Sequence, residues 1–255
     1  MGEEQNRQTK KELRREKKRQ KKAEKREKQR KLLYPADKKG RHVMHGMNFF
    51  RILLYPIQAV LCPYKMYGEK KIGKGAYILV GNHLSLWDVF FPARTTWEGV
   101  HFLAKQSVME APVLGYWARK FGAIGAMRDG SDVRSVLECM KVLKNGEKLV
   151  IFPEGTRNKK SEEEFLPFHA GSAMMAIKTH TPVVPFVICN RPRAFHRVHV
   201  VFGEPMEFTE YYGKRLSQEE LAEAEDKIRT RMYELREKHC AEIALKKRKK
   251  KPCKS

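Results

Sequence analysis

Apolar residues occur in short runs separated by polar segments between residues 76 and 202, an alternation typical of an α/β chain. Four of these runs are rich in Val, Ile, Leu and aromatic residues and predict buried strands. They are Tyr77–Val80, Leu149–Phe152, Val183–Ile188 and Val198–Phe202.

Helices are predicted between and after these strands. Asp132 can cap the first of them, and Gly146 is placed to end it. Ser217 and Glu220 have the spacing of a capping box, which predicts the start of the last helix. The predicted helices span Val133 to about Asn145, Gly171–Thr179, and a long charged segment that continues toward the basic end of the chain.

A polar motif follows each of the first two predicted strands. Asn82 to Asp88 comes directly after the first strand, and Pro153 to Arg157 comes directly after the second. Active sites of α/β sheets collect at the carboxyl ends of the strands. We therefore expect both motifs to lie at one edge of a shared sheet.

The most apolar segment of the chain precedes the first predicted strand. Between Arg51 and Lys65 the 13 residues Ile52 to Tyr64 carry no charge, whereas a membrane-spanning helix needs about 20 apolar residues. Pro56 argues against one straight helix here. The segment can lie in a membrane interface or pack into the core, and the basic residues before it favour the membrane surface. Those residues are Lys38, Lys39, Arg41 and Arg51.

Positive charge is concentrated at the two ends of the 255-residue chain, whose net charge is +23. Residues 1–40 hold 17 basic and 7 acidic residues, and residues 245–255 hold 7 basic residues and no acidic one. The ends thus contribute +10 and +7, which leaves +6 for the middle. We predict one domain at residues 41–244 between two basic tails.

The amino-terminal tail is too polar to bury a core. Leu13 and Ala23 are almost its only apolar side chains over residues 10–31, although most of its residues are good helix formers. A solvated arm, disordered or nascent helical, contact with an anionic membrane surface, and nucleic-acid binding are all compatible with this composition. Residues 1–31 and 245–255 contain no Phe, Tyr or Trp for base stacking, which disfavours nucleic acid.

The cysteines show neither the even number of a disulfide framework nor the spacing of a zinc site. A reducing compartment is the simpler interpretation. The amino terminus opens with charged residues instead of an apolar core, so no secretory signal is predicted. The five cysteines are Cys62, Cys139, Cys189, Cys240 and Cys253.

His83 and Asp88 are five positions apart, which on one continuous helix would point their side chains in directions about 140° apart. A turn before the helix removes this difficulty. Ser85 can be the N-cap and Asp88 the third helical residue, so that the carboxylate reaches the His83 ring. A carboxylate-held neutral imidazole can accept a proton from an alcohol. The alternative is a histidine and an aspartate that only cap a helix.

The segment from Phe152 to Arg157 has the composition of a phosphate-binding loop. Its Pro and Gly favour a tight turn, Thr156 and backbone N–H groups can donate hydrogen bonds, and the Arg157 guanidinium matches a phosphate. A salt-bridged turn without a ligand is the alternative.

These motifs resemble those of the 1-acyl-sn-glycerol-3-phosphate acyltransferases, also called lysophosphatidic acid acyltransferases. The first block of that family, Asn-His-x-Ser-x-x-Asp, is met by Asn82, His83, Ser85 and Asp88, and its third block by residues 152–157. The second and fourth blocks are also similar. They correspond to residues 102–105 with Pro112, Gly115, Gly122 and Arg128, and to the apolar run 183–188. The resemblance covers roughly residues 75–205.

The resemblance implies a glycerophosphate acyltransferase-like α/β fold with a mixed central sheet flanked by helices, and no metal or redox cofactor. The family's amino-terminal membrane-associating helical segment would correspond to about residues 43–65. His83 would be the general base and Asp88 its orienting partner. The substrate-binding residues would be Lys105, Arg128 and Arg157, which hold a phosphate, and Glu154, Gly155 and Thr156, which shape the same pocket. His169 stands where the family often has a lysine, and would add less charge at neutral pH.

The activity that the resemblance implies is transfer of a fatty acyl group to the sn-2 hydroxyl of lysophosphatidic acid, which gives phosphatidic acid. The donor would be acyl-coenzyme A or an acyl carrier protein, and the enzyme would sit on the cytoplasmic face of a membrane as a peripheral or monotopic protein. Another acceptor, such as glycerol 3-phosphate or another lysophospholipid, is equally compatible with the motifs because it also carries a phosphate near a hydroxyl. A non-catalytic basic protein that binds membranes or RNA is the alternative outside enzymes.

Overall fold

The computed structural model describes Glu16 and residues 45–68, 72–126, 133–169 and 171–243. The two predicted basic tails therefore lie outside the described residues, apart from Glu16. The predicted cap Asp132 and the predicted phosphate ligand Arg128 also lie outside them. The predicted domain boundaries stay a prediction.

The described residues form one seven-stranded sheet. Its strands are β1 (Tyr64–Gly68), β2 (Tyr77–Gly81), β3 (Val100–Lys105), β4 (Ala123–Ala126), β5 (Lys148–Ile151), β6 (Val183–Ile188) and β7 (Val198–Phe202). The order across the sheet is β1-β7-β6-β2-β5-β3-β4. Neighbouring strands are parallel except β6 and β7, which are antiparallel. The mixed sheet expected from the resemblance is confirmed.

Helices precede, connect and follow the strands. They are α1 (His45–Leu61), α2 (Phe90–Ala93), α3 (Gln106–Glu110), α4 (Pro112–Lys120), α5 (Val133–Lys144), α6 (Ser172–Thr179) and α7 (Gln218–Leu235). Short 3₁₀ turns occupy Leu86–Val89 and Thr209–Tyr211, and a π-helical turn, Arg236–Cys240, follows α7.

The four strands predicted from apolar runs are all present, two with the predicted bounds and two shifted or extended by one residue. Helix ends follow the predicted signals. Gly146 has φ +79° after α5, a conformation that suits glycine. At α7 the Ser217 side chain accepts the Glu220 backbone N–H while the Glu220 carboxylate accepts the Ser217 N–H, which confirms the capping box.

Successive side chains of a strand point to opposite faces of the sheet, and in β2 both faces are buried. Ile78 and Val80 belong to the core cluster formed with α5, α6 and α7, whereas Leu79 packs with Phe91 of α2 on the other face. In the parallel pair β2 and β5, Val80 lies opposite Ile151. The chain therefore leaves both strands at the same edge, where the two polar motifs begin.

The apolar segment before β1 forms one continuous helix, α1. Pro56 does not end this helix, because its ring is exposed and the carbonyl that loses its N–H partner can be hydrated. Among the α1 side chains that the structure describes, Gln58 is buried, whereas Ile52, Leu53, Ile57 and Val60 are exposed. Among the described residues, no helix is both long and apolar enough to cross a membrane.

Cys189 and Cys240 form a disulfide, with their Cα atoms 5.3 Å apart. The prediction of unpaired cysteines is wrong for this pair. The two residues are 51 positions apart and meet only because the turn after α7 packs beside the end of β6, which no spacing rule reveals. Cys62 and Cys139 are free and buried.

Candidate active site

His83 and Asp88 form a hydrogen-bonded pair just beyond β2. The His83 Nδ1 lies 2.9 Å from Asp88 Oδ2, and the carboxylate is fully buried while the imidazole is partly exposed. The same oxygen accepts the backbone N–H groups of Leu84 and Ser85, each at 2.6 Å. A carboxylate held in this way places the ring proton on Nδ1 and leaves Nε2 with a free lone pair.

The local sequence explains how five positions bring these side chains together. Ser85 has extended backbone angles, φ −151° and ψ 163°, and caps the 3₁₀ turn Leu86–Val89. Asp88 is the third residue of that turn and completes a capping box with Ser85. The predicted arrangement of cap and aspartate is therefore present, with a 3₁₀ turn in place of an α-helix.

Asn82 attaches the end of β2 to the end of β6. Its buried side-chain amide donates to the Ile188 carbonyl at 3.1 Å, and its oxygen accepts the Ile188 N–H at 2.7 Å. Both hydrogen bonds link groups 106 residues apart. Asn82 thus sets the point at which the chain turns into the His83 segment.

Glu154 connects the second motif to the first. Its Oε1 accepts the backbone N–H of His83 at 2.8 Å, and its Oε2 accepts the backbone N–H of Leu166 at 3.0 Å. Burial raises the pKa of Glu154, and the two backbone hydrogen bonds oppose that rise. The Glu154 carboxylate is thus directed at the protein backbone and not at solvent.

The loop after β5 turns sharply around Gly155. This residue has φ +60°, and its N–H donates to the Phe152 carbonyl at 3.0 Å. A side chain there would be strained, so glycine is required. The Phe152 ring stacks on the His83 imidazole with centroids 4.3 Å apart, which further fixes the plane of the imidazole.

The backbone of the His83 segment is held by two residues that the motifs do not contain. The backbone N–H of Asn158 donates to the His83 carbonyl at 2.7 Å. Arg191 donates from Nη1 to the Leu84 carbonyl at 3.4 Å and from Nη2 to the Asn158 carbonyl at 2.9 Å. With Glu154 and Asp88, these contacts occupy every backbone polar group of His83 and Leu84.

The predicted phosphate-binding residues reach the same edge as exposed side chains. Lys105 is the last residue of β3, and Thr156 and Arg157 follow β5, the neighbouring strand. Both Lys105 and Arg157 are exposed, and neither is ion-paired with another of the described residues. Arg128 follows β4 in the sequence but lies outside the described residues.

His169 lies against the loop. Its backbone N–H donates to the Pro153 carbonyl at 2.9 Å, and its ring approaches Gly155 so closely that a Cβ there would be 3.1 Å from it. The position that often carries a lysine in the family therefore borders the candidate phosphate loop.

Asn158 and Arg191 were not identified from the sequence. Asn158 is buried one residue after Arg157, and a loop asparagine has no distinctive spacing. Arg191 lies three residues after β6 and reaches the site only through the fold. The catalytic and binding roles assigned to the motif residues stay predictions.

The chain is similar in sequence to known acyltransferases. The family model described as Acyltransferase matches residues 63–189. The 1-acyl-sn-glycerol-3-phosphate acyltransferase of Saccharomyces cerevisiae is 28% identical over 179 residues, which cover 67% of this chain and 58% of that protein. The protein of the same name from Helicobacter pylori is 35% identical over 132 residues, 50% of this chain and 55% of that protein. The chain thus spans about half the length of the curated relatives it matches.

A solved structure has a similar fold. The crystal structure of the 1-acyl-sn-glycerophosphate (LPA) acyltransferase PlsC from Thermotoga maritima matches with a TM-score of 0.56 and 26% identity, covering 82% of each chain. The fold agrees with that of this relative. Residues 63–189 therefore form a domain of the acyltransferase family, and the resemblance to 1-acyl-sn-glycerol-3-phosphate acyltransferases predicted from the motifs is confirmed.

Proposed function

We propose that the protein transfers a fatty acyl group from an acyl thioester to the sn-2 hydroxyl of lysophosphatidic acid, which yields phosphatidic acid. The observation that carries the proposal is the junction of the two motifs. The His83–Asp88 pair and the Arg157 loop lie at one edge of the sheet and are joined by the Glu154 hydrogen bond to His83.

The proposed reaction uses the free lone pair on Nε2 of the His83 imidazole. His83 Nε2 removes the proton of the acceptor hydroxyl as that oxygen attacks the thioester carbonyl carbon, forming a C–O bond. Asp88 stabilises the imidazolium through Nδ1. When the tetrahedral intermediate collapses, the C–S bond breaks and His83 returns the proton to the departing thiolate. The products are an ester and a free thiol.

The exposed cations supply acceptor binding. Arg157 and Lys105 bind the phosphate of the acceptor, and Arg128 is proposed as a third ligand on the sequence motif alone. The guanidinium of Arg157 suits a bidentate contact with two phosphate oxygens. Thr156 adds a hydroxyl donor, while Glu154 and Gly155 give the loop its shape.

Lysophosphatidic acid is favoured among phosphorylated acceptors because the relatives from yeast and Helicobacter both carry the name of an enzyme for that acceptor. Glycerol 3-phosphate or another lysophospholipid is the second candidate. The donor is proposed to be acyl-coenzyme A or acyl carrier protein.

We place the enzyme on the cytoplasmic face of a membrane, as a peripheral or monotopic protein. α1 supports this, because Ile52, Leu53, Ile57 and Val60 are exposed on it. The basic tails add electrostatic attraction to anionic lipids. Disulfides are uncommon in a reducing compartment. Thiol trapping in intact cells therefore tests the placement, because a cytoplasmic protein should keep Cys189 and Cys240 reduced.

The activity is tested with the purified full chain, a panel of phosphorylated acceptors and both thioester donors. Release of free thiol and formation of the ester are followed together, with His83→Ala as the matched inactive control. The proposal requires the highest kcat/KM with lysophosphatidic acid. A higher kcat/KM with another acceptor would assign that acceptor as the substrate. No transfer to any acceptor would reject the proposed acyltransferase function.

The placement is tested by deleting residues 1–40. The truncated protein should sediment less with anionic vesicles, and raised salt should have the same effect on the full chain. Equal binding of both proteins at low salt would leave the tail as a solvated arm.

A further inference from the structure

α4 is oriented with its bulky apolar side chains outward. Val113 is 72% exposed and Leu114 is 56% exposed, and Tyr116 and Trp117 are exposed beside them. The side turned to the protein carries Gly115, where a Cβ would lie 2.3 Å from the Met109 carbonyl oxygen. α4 therefore packs closely against the backbone of α3 at Gly115, while its bulky apolar side chains are exposed.

α1 shows the same inversion. Ile52 and Val60 are 76% and 66% exposed, while the polar Gln58 is buried and accepts hydrogen bonds from the Arg94 guanidinium at 2.9 and 3.1 Å. Arg94 also donates to the Tyr55 carbonyl and the Tyr64 hydroxyl. A helix whose polar side faces the protein presents its apolar side to another apolar medium.

Both inverted helices contact α2, which follows the His83 segment directly. Arg94, the C-cap of α2, binds α1, and the Phe90 ring of α2 packs edge-on against Phe121 at the end of α4, with centroids 6.1 Å apart. The two exposed apolar surfaces thus belong to helices that both contact α2, the helix that follows the His83 segment.

We propose that α4 forms a second membrane-contact surface, which inserts Val113, Leu114 and Trp117 into the interface of an anionic phospholipid bilayer. The proposal rests on the proposed function, because an acceptor with an acyl chain resides in that bilayer. Contact through α1 alone would leave the enzyme free to pivot on the surface. A second contact, through α4, holds the His83 edge at a defined angle to the lipid.

The chemistry of α4 matches a lipid interface. The helix has no acidic residue, and its last turn carries Arg119 and Lys120. The Lys120 ammonium lies 4.8 Å from the Tyr116 ring centroid and 5.5 Å from that of Trp117. Aromatic rings beside basic groups are typical of residues at the headgroup level, where one end of the side chain is apolar and the other is hydrated.

The test compares Leu114→Glu with Leu137→Glu in the full chain. Leu137 is a matched control, because it is 59% exposed but lies on α5, which packs on the opposite face of the sheet. Partition onto sucrose-loaded phosphatidylcholine vesicles containing phosphatidylglycerol is measured by sedimentation. Leu114→Glu should lower the partition coefficient about ten- to hundredfold, as expected for the loss of one inserted leucine, and Leu137→Glu should leave it unchanged.

Fluorescence gives a second measurement. Brominated phospholipids should quench the wild-type protein more than Trp117→Phe, because Trp117 lies on the proposed contact surface. Equal partition of the two glutamate variants, or equal quenching of wild type and Trp117→Phe, would overturn the proposal. So would loss of acyl carrier protein binding in Leu114→Glu with vesicle binding intact, since α4 would then be a protein-docking surface.

Transfer to a detergent-dispersed acceptor separates this inference from the proposed function. Both glutamate variants should retain wild-type transfer there, which also shows that they are folded. If wild type shows no transfer in detergent, the proposed function fails. A selective loss of vesicle binding in Leu114→Glu would still support the lipid surface in that case.

Discussion

The Glu154 carboxylate accepts the backbone N–H of His83 at 2.8 Å, across 71 residues of sequence. Because its other oxygen accepts the Leu166 N–H, Glu154→Gln leaves one buried donor facing an NH₂ group. One unsatisfied buried donor costs about 1–3 kcal/mol, and displacement of His83 should lower kcat about tenfold or more. Glu164→Gln, an exposed acid on the same loop, is the control and should match wild type. An unchanged kcat in Glu154→Gln would show that this link is dispensable.

The pH dependence of stability should report the same carboxyl group. Burial raises the pKa of Glu154 in the folded protein above its unfolded value. Its contribution is therefore fully present below the unfolded pKa of about 4.3 and is lost as the pH rises through the folded pKa. Urea unfolding across this window should show the stability of wild type falling relative to Glu154→Gln. A constant difference between the two proteins would contradict the shift.

The His83–Asp88 pair predicts a graded loss of turnover. His83→Ala should lower kcat roughly 10²- to 10⁴-fold, the usual contribution of a general base. Asp88→Asn should also lower kcat, because an amide cannot stabilise the imidazolium as a carboxylate does. Steady-state kinetics with circular dichroism spectra of each variant check this prediction. A folded His83→Ala protein with near-normal kcat would exclude His83 as the base.

The strands and the His83 turn were predictable because their signals are local. Apolar runs set the strands, and Ser85 with Asp88 forms a recognisable cap within four residues. Contacts made only by the fold were not predictable. Asn82 meets Ile188 across 106 residues, Cys189 meets Cys240 across 51, and no spacing rule covers either pair. The orientation of α1 depends on Gln58 binding Arg94 and not on its own pattern.

Arg157 should affect acceptor binding more than turnover. Arg157→Ala is expected to raise the KM for the phosphorylated acceptor, with a smaller effect on the KM of the thioester, because a guanidinium binds phosphate through two parallel hydrogen bonds. Arg157→Lys should restore binding only in part. Lys159→Ala removes an exposed cation two residues away and is the control. If both Arg157 variants raise only the thioester KM, the pocket belongs to the donor.

Arg191 should act as a positioning residue that couples the base to the phosphate loop. One side of its guanidinium binds the carbonyl next to His83, and the other binds the carbonyl of Asn158, next to Arg157. Arg191→Ala should therefore lower kcat and raise the acceptor KM together, with a combined loss in kcat/KM of about ten- to hundredfold. Arg191→Lys should recover only part of that loss, since one ammonium cannot match the planar fork.

Arg193→Ala is the matched control for Arg191. Both arginines lie 3.6 Å from the same Glu162 oxygen, but Arg193 is largely exposed and has no hydrogen bond to either loop among the described contacts. If Arg191 served only to pair with Glu162, the two alanine variants would behave alike in kinetics and in thermal unfolding. A kinetic loss in Arg191→Ala alone, larger than the change in folded fraction accounts for, requires the loop contacts. The two halves of the site would then depend on a residue outside both motifs.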